Sequence, residues 1–287
     1  MPDIVVIGGG ITGTAAALSL AEEGHAVTLI ERRAIAAMAS GWTLGGVRQS
    51  GRDLAELPLA RAAVAIWPTL EERLGQDVEY RRHGNLRLAR SDSEVETIRA
   101  LVEEQRAQGL DLAFLANNRA VRDIAPAISE HVLAASFCPS DGHANPVKAT
   151  RALAQAARAK GAVIREGVAA HAIRVEHGRV AGVETSGGYV PAGAVILAAG
   201  VNTPALLAPL GLDLPLAVTI VHVLQTEILP RALDQVLGVA NADCAGRQEA
   251  DGRLRVTTGS RAFEGDAAGW SEAALAPSAA EIARLTE

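Results

Sequence analysis

Cysteine, aromatic side chains and long apolar runs are all scarce in this sequence, and each scarcity removes a class of protein. Cys138 and Cys244 are the only two cysteines in 287 residues. They lie far apart, so neither a disulfide scaffold nor a metal site is expected, and both read as inert buried thiols. Aromatic residues make up 3% of the chain, so stacking on a bound ring must be sparse. No apolar run approaches the ~20 residues that a transmembrane helix needs. Basic residues are not in excess: the formal net charge is −6, which argues against a nucleic-acid partner. No G-x-S-x-G, metal-binding histidine pattern, repeat or low-complexity linker occurs, and spacing alone supports no Ser-His-Asp set. The first strand starts at Asp3, which leaves no room for a signal peptide. The expected compartment is a reducing cytoplasm.

Hydrophobic residues make up 49%, enough for a sizeable core in one large or two small domains. The chain opens on an apolar strand that runs into Gly8-Gly9-Gly10-Ile11-Thr12-Gly13. A helical stretch, Thr14 to Glu23, follows. A second apolar run, Ala26 to Ile30, ends on Glu31. This is a β-α-β unit with G-x-G-x-x-G in its first turn and an acid about 20 residues further on. Gly8 permits the tight turn. Gly10 lets the backbone approach a pyrophosphate, and Gly13 lets helix and strand pack closely. The helix N-terminus, at Ile11 and Thr12, offers N–H groups to the anion. Glu31 would accept hydrogen bonds from a ribose. The unit by itself does not separate NAD from FAD.

The next segment does. Arg32 and Arg33 follow Glu31, and then comes the small, glycine-rich run Ala39-Ser40-Gly41-Trp42-Thr43-Leu44-Gly45-Gly46-Val47-Arg48. An NAD domain would ordinarily continue with another βα unit here. Later, Ala194 to Gly200 reads as a short buried strand ending in small residues, with Pro204 suited to a helix start. These features, together with Gly84-Asn85-Leu-Arg-Leu-Ala89 and Asp141-Gly-His-Ala-Asn-Pro146, resemble the D-amino-acid oxidase family of FAD-dependent enzymes, which includes glycine oxidase and sarcosine oxidase. Within that family the subfamily motifs look most like the β subunits of bacterial opine oxidases and hydroxyproline dehydrogenases. The resemblance covers almost the whole chain.

It implies an α/β fold: a Rossmann-like FAD-binding domain with an interleaved, mainly antiparallel α+β substrate domain. The FAD-binding domain is expected at residues 1–50 and 145–210, and the substrate domain at 51–144 and 211–287. Local signals agree with separate elements. Pro58 to Leu74 reads as a helix, with Leu59, Ala62, Ala63, Ile66 and Leu70 along one face. Tyr80 to Arg82 and Asn85 to Ala89 read as strands broken at Gly84. Ser91 and Glu94 have capping-box spacing ahead of a polar helix that Gly109 ends. Asn118 to Ile124 reads as a short helix, Val132 to Phe137 as a strand, and Pro146 to Ala159 as a helix. Arg179 to Thr185 pairs with Val168 to Val175 across a turn at His177-Gly178.

The candidate cofactor residues are Gly8, Gly10, Ile11, Thr12, Gly13, Glu31, Arg32, Arg33, Ser40, Gly41, Gly45, Gly46, Val168, Ala199 and Gly200. The resemblance implies that the Val168 backbone meets the adenine. It also places Arg48 near flavin and substrate, where a guanidinium would hold a carboxylate bidentately; the alternative is a surface arginine. Arg52 has a similar, weaker claim. Trp42 either shapes the flavin pocket or packs as an ordinary aromatic. His83 and His222 are candidates for the substrate cavity, against structural roles for each. His143 reads as a turn residue with local hydrogen bonds.

Ser278-Ala-Ala-Glu281 has capping-box spacing, so a helix should begin near Ala279. The resemblance implies a further stretch beyond Glu287 that returns to the nucleotide domain, so the chain is expected to be C-terminally truncated relative to the family. The implied activity is oxidation of the CH–NH bond of a small amino acid, secondary amine or opine, with hydride passing to flavin N5. Electrons then leave to oxygen or to a partner subunit, which could hold the chain at the periphery of the inner membrane. The alternatives are a truncated or degenerate subunit that binds FAD or a partner without turnover, and an NAD(P) dehydrogenase.

Overall fold

The computed structural model describes residues 2–241, 244–263, 276–280 and 283. The chain forms two compact units, one built mainly from Met1–Thr43 and Pro146–Thr219, the other from Leu44–Asn145 and Ile220–Arg261.

The first unit is organised by a four-stranded parallel sheet. Its strands run in the order Ala194–Leu197, Ile4–Ile7, Val27–Glu31 and Val163–Glu166. In register, Ile4 faces Val27 on one side and Ala194 on the other. The two central strands are almost wholly buried, so they read as unbroken apolar runs, as strands covered on both faces do. The strand Ala194–Leu197 lies at the sheet edge and is exposed to half-buried, not buried as its composition suggested: an edge strand has a neighbour on one side only. The helices Ile11–Glu22 and Pro146–Ala159 pack together. Both carry alanine on the buried face, Ala17 and Ala21 in one, Ala149, Ala152 and Ala157 in the other. A three-stranded antiparallel sheet, Gly188–Pro191, Arg179–Thr185 and Ala170–Glu176, adjoins this core. Its hairpin turns at His177 (φ 52°) and Gly178 (φ 75°), the pair of positive φ angles that a tight two-residue hairpin requires. Val5, Ile7, Ile30, Ile173, Val183 and Val190 form the shared core.

The second unit is built on a seven-stranded sheet. The order is Val223–Ile228, Arg253–Thr258, Cys244–Gln248, Val236–Val239, Asn85–Ala89, Ala134–Cys138 and Ala113–Leu115. Only Val236–Val239 and Asn85–Ala89 run parallel. Leu86, at the centre, is fully buried, and burial of such a side chain is worth about 1.5–3 kcal/mol. A separate two-stranded ribbon joins Gly46–Val47 to Gly142–His143. Tyr80–Arg82 does not form a strand; only Arg81 bridges to His143.

The helix Leu57–Leu74 corrects the expected packing face. Leu57, Val64, Leu70 and Leu74 are buried, whereas Leu59 is 77% and Ile66 49% exposed. Both sets recur at helical spacing, and periodicity alone cannot choose between two apolar stripes. The capping reading at Ser91 holds, its Oγ accepting from the Glu94 N–H, and the structure adds a cap at Asn117, whose Oδ1 accepts from the Ala120 N–H. Ala279 and Ala280 are helical; Glu281 lies outside the described residues. Among the described residues no helix is long and apolar enough to cross a membrane, and no cluster of side chains could hold a metal ion.

Candidate functional site

The glycine turn is shaped by what surrounds each missing Cβ. Gly8 has φ +116°, and a Cβ there would lie 2.2 Å from the Ala198 carbonyl oxygen. A Cβ on Gly13 would lie 1.9 Å from the Gly8 carbonyl oxygen. These two glycines let the strand, the turn and the helix touch backbone to backbone. Gly10 differs: among the described residues, the atoms within reach of its Cβ belong to the Ser40 side chain, with Oγ at 2.9 Å. The Ile11 N–H donates to Ser40 Oγ (3.0 Å). Ile11 and Thr12 are exposed, and the first turn of the helix carries no acidic residue. The positive end of the helix dipole is therefore left open to an anion.

Glu31 ends the second strand. It is 9% exposed. One carboxylate oxygen accepts from the Gly9 N–H (2.6 Å), the other from the Arg33 N–H (2.7 Å). Its backbone carbonyl accepts from the Val168 N–H (3.0 Å). Gly9, which the motif reading passed over, is thus tied to the acid. The Arg32 guanidinium donates to Asn202 Oδ1 (3.2 Å), and that of Arg33 to Met38 Sδ. Asn202 in turn donates its N–H to the Ala199 carbonyl, and Gly200 adopts φ +56°. Ser40 and Gly41 lie on the single helical turn Ala39–Trp42, where a Cβ on Gly41 would meet the Ala36 carbonyl at 2.0 Å. Trp42 is 66% exposed, so it is not a packed aromatic. A cradle that a Cβ would fill, a helix N-terminus without an acidic residue in its first turn and a buried, oriented carboxylate together fit a dinucleotide's pyrophosphate and ribose. Glu31→Ala is expected to weaken FAD binding by about 1–3 kcal/mol, the cost of losing a charged acceptor. Flavin titration of both proteins checks it; equal dissociation constants would refute it.

In the second unit, Gly45 accepts from the Ala144 N–H and Gly46 pairs with His143. Arg48 follows, and its Nη1 donates to the Ser50 (2.8 Å) and Gly51 (3.4 Å) carbonyls. Burial first, then Arg52 and Arg87, pushes the Arg48 pKa down to about 10. The loop is held by Asp141, which is fully buried. It accepts from the Gln49 N–H, the Ser50 N–H and the Ser50 hydroxyl. That role was hidden in the sequence because acceptor and donors lie 91 residues or more apart.

His143 is not a locally bonded turn residue. It is 3% exposed, and its Nδ1 lies 3.1 Å from Arg247 Nη1. A guanidinium only donates, so Nδ1 accepts and the ring proton sits on Nε2. Burial, and after it the cations Arg247 and Arg231, push its pKa down to about 3. His83 is exposed and lies near enough to contribute to that shift. His222 is half-buried beside the strand Val223–Ile228, and its carbonyl accepts from the Thr258 N–H. Cys138 is buried, and burial raises its thiol to about 11, which leaves it inert. Cys244 is half-buried, not buried as expected.

Comparison with known proteins gives a consistent picture. The model of the DAO family, FAD dependent oxidoreductase, matches residues 3–287. The 4-methylaminobutanoate oxidase (formaldehyde-forming) of Paenarthrobacter nicotinovorans is 34% identical over 227 residues, covering 78% of this chain and 27% of that protein. An opine oxidase subunit of Rhizobium meliloti is 29% identical over 260 residues, covering 85% of this chain and 68% of that one. The crystal structure of glycine oxidase from Bacillus cereus ATCC 14579 superposes with a TM-score of 0.86 at 28% identity, covering 100% of this chain and 76% of the other. The chain thus spans 27% of the length of the first of these relatives.

Proposed function

This chain belongs to the DAO family of FAD-dependent oxidoreductases, and from that membership we propose that it oxidises the CH–NH bond of a small amino acid, secondary amine or opine. The observation that carries the reading is the glycine turn. Only Gly10 of its motif glycines faces a side chain rather than backbone, beside an open helix N-terminus and the anchored carboxylate of Glu31.

We assign FAD binding to the unit containing that turn and substrate binding to the unit containing Arg48, His83 and His222. Ile11, Thr12 and Ser40 serve the pyrophosphate; Glu31 serves the ribose, and the Val168 backbone faces the adenine. When bound, FAD supplies a two-electron acceptor that takes hydride at N5. Arg48 orients the substrate's carboxylate. The amine must be neutral to release hydride from its α-carbon, and the imine product then hydrolyses in water. No strong protein base is required. Likeness to the opine oxidase subunit supports a partner subunit as electron acceptor. The reading implies a reducing cytoplasm, which the two unbridged cysteines suit.

The test is direct. The purified chain should carry or take up FAD, and its visible flavin band should bleach anaerobically with one member of a panel of amino acids, N-methyl amino acids and opines. A chain that takes up no flavin, or a loaded one that none of these reduces, would overturn the proposal.

A further inference from the structure

Two guanidinium groups in the second unit flank one glycine, and among the described residues neither has a carboxylate of its own. Arg87 comes from the central strand Asn85–Ala89. Arg48 comes from the segment after the Gly46–Val47 ribbon. Gly51 has φ +63°, and a Cβ there would lie 2.5 Å from Arg87 Nη2 and 3.0 Å from its Cζ. The Gly51 carbonyl accepts from Arg48 Nη1. Both arginines therefore flank the same residue, and both are half-buried rather than sealed.

Their surroundings do not neutralise them. Arg87 makes one long hydrogen bond, from Nη1 to the Val239 carbonyl at 3.4 Å. The acids that act on Arg48 are Asp141 and Glu56. Asp141 is taken up by Gln49 and Ser50, and Glu56 lies 3.7 Å from Arg52. Arg48, Arg52 and Arg87 set against Asp141 and Glu56 leave one positive charge over. Burial lowers the pKa of Arg87, and burial with cationic neighbours lowers that of Arg48. A part-buried cation without a partner is a cost that an incoming anion offsets.

We propose that Arg87 is a specificity-determining residue that binds the substrate's carboxylate together with Arg48. This rests on the amine-oxidising reading and deepens it. Arg48 already spends Nη1 on two carbonyls, whereas Arg87 keeps most of its fork of donors. The site accommodates one carboxylate and discriminates amines bearing an acid group from simple amines.

The experiment uses the 287-residue chain, acetate as probe and acetamide as its uncharged isostere. Acetate replaces chloride at constant ionic strength and binding is read by calorimetry. Wild type should bind acetate saturably and acetamide not at all. Arg87→Gln should weaken acetate at least about tenfold, and Arg87→Lys, which keeps charge but loses the fork, by an intermediate factor. With a substrate that bleaches the flavin, Arg87→Gln should raise KM more than it lowers kcat. Thermal melts confirm folding; if Gln does not fold, Lys carries the test, and unchanged affinity in it overturns the proposal. So do wild-type affinity in Arg87→Gln, equal binding of acetamide, or no acetate binding in wild type. Flavin uptake is read separately. Acetate binding that depends on Arg87 in a chain without flavin would retain this anion site and sink the oxidase reading; amine oxidation indifferent to Arg87 would do the reverse.

Discussion

Gly13→Ala is expected to unfold the first compact unit, although alanine is ordinarily the better helix residue. Gly13 lies inside the helix Ile11–Glu22, where exchange of glycine for alanine usually stabilises by about 1 kcal/mol. Here the added methyl would sit 1.9 Å from the Gly8 carbonyl oxygen and 3.1 Å from its carbon. Both are backbone atoms, so no rotamer change relieves the overlap. Gly8 cannot retreat: its own Cβ position lies 2.2 Å from the Ala198 carbonyl oxygen. Ala198 is in turn fixed by its N–H to the Ile7 carbonyl (2.8 Å). Relief requires the helix to part from the sheet whose central strands hold Val5, Ile7 and Ile30. The expected loss is at least about 3 kcal/mol, at the high end for a single substitution. Gly193→Ala is the control in the same unit, since its methyl meets only the Asp3 carbonyl at 3.6 Å. Denaturant melts of the three proteins decide it. A Gly13→Ala midpoint equal to that of Gly193→Ala would show that the contact between turn and helix yields easily.

The contrast between these glycines marks how far the sequence is legible. The motif spacing places turn, helix and terminal acid because each is a local signal, although the helix runs Ile11–Glu22 and so starts three residues before the expected Thr14. The helix Pro146–Ala159 has the expected bounds, since proline suits its start and Gly161 follows its end. The hairpin at His177-Gly178 is likewise local. What the sequence hides is long-range. Leu59 and Ile66 share helical spacing with the truly buried Leu57, Val64 and Leu74, and only the tertiary neighbours choose between the stripes. Asp141 looks like a loop acid, yet it is the buried acceptor that shapes the Arg48 segment. His143 looks like a turn residue until Arg247, 104 positions later, is placed on its Nδ1. Arg87 falls within a strand motif, and only the fold brings its guanidinium beside Gly51.

Gly10→Val is expected to abolish FAD binding while the fold persists, the opposite division from Gly13→Ala. Gly10 caps the helix with φ −78° and ψ −179°, an extended conformation that a β-branched residue adopts readily. The nearest atom to its Cβ is Ser40 Oγ at 2.9 Å, the mobile end of a short side chain, and the next is Ser40 Cβ at 3.8 Å. Rotation of Ser40 breaks its hydrogen bond from Ile11, at a net cost of about 1 kcal/mol, so the melting midpoint should fall only slightly. The valine methyls, however, would take the space beside Ser40 Oγ, at the end of the helix where Ile11 and Thr12 are exposed. On the proposed reading, that is where the pyrophosphate comes within hydrogen-bond distance of the helix N–H groups. Steric exclusion of the anion removes those contacts together, so affinity should fall at least about 100-fold, or ~2.7 kcal/mol. The measurement pairs a thermal melt with a flavin titration on the same preparation. A folded variant that keeps the wild-type flavin spectrum and dissociation constant would mean that the pyrophosphate lies elsewhere. The roles given to Ile11, Thr12 and Ser40 would then fall with it.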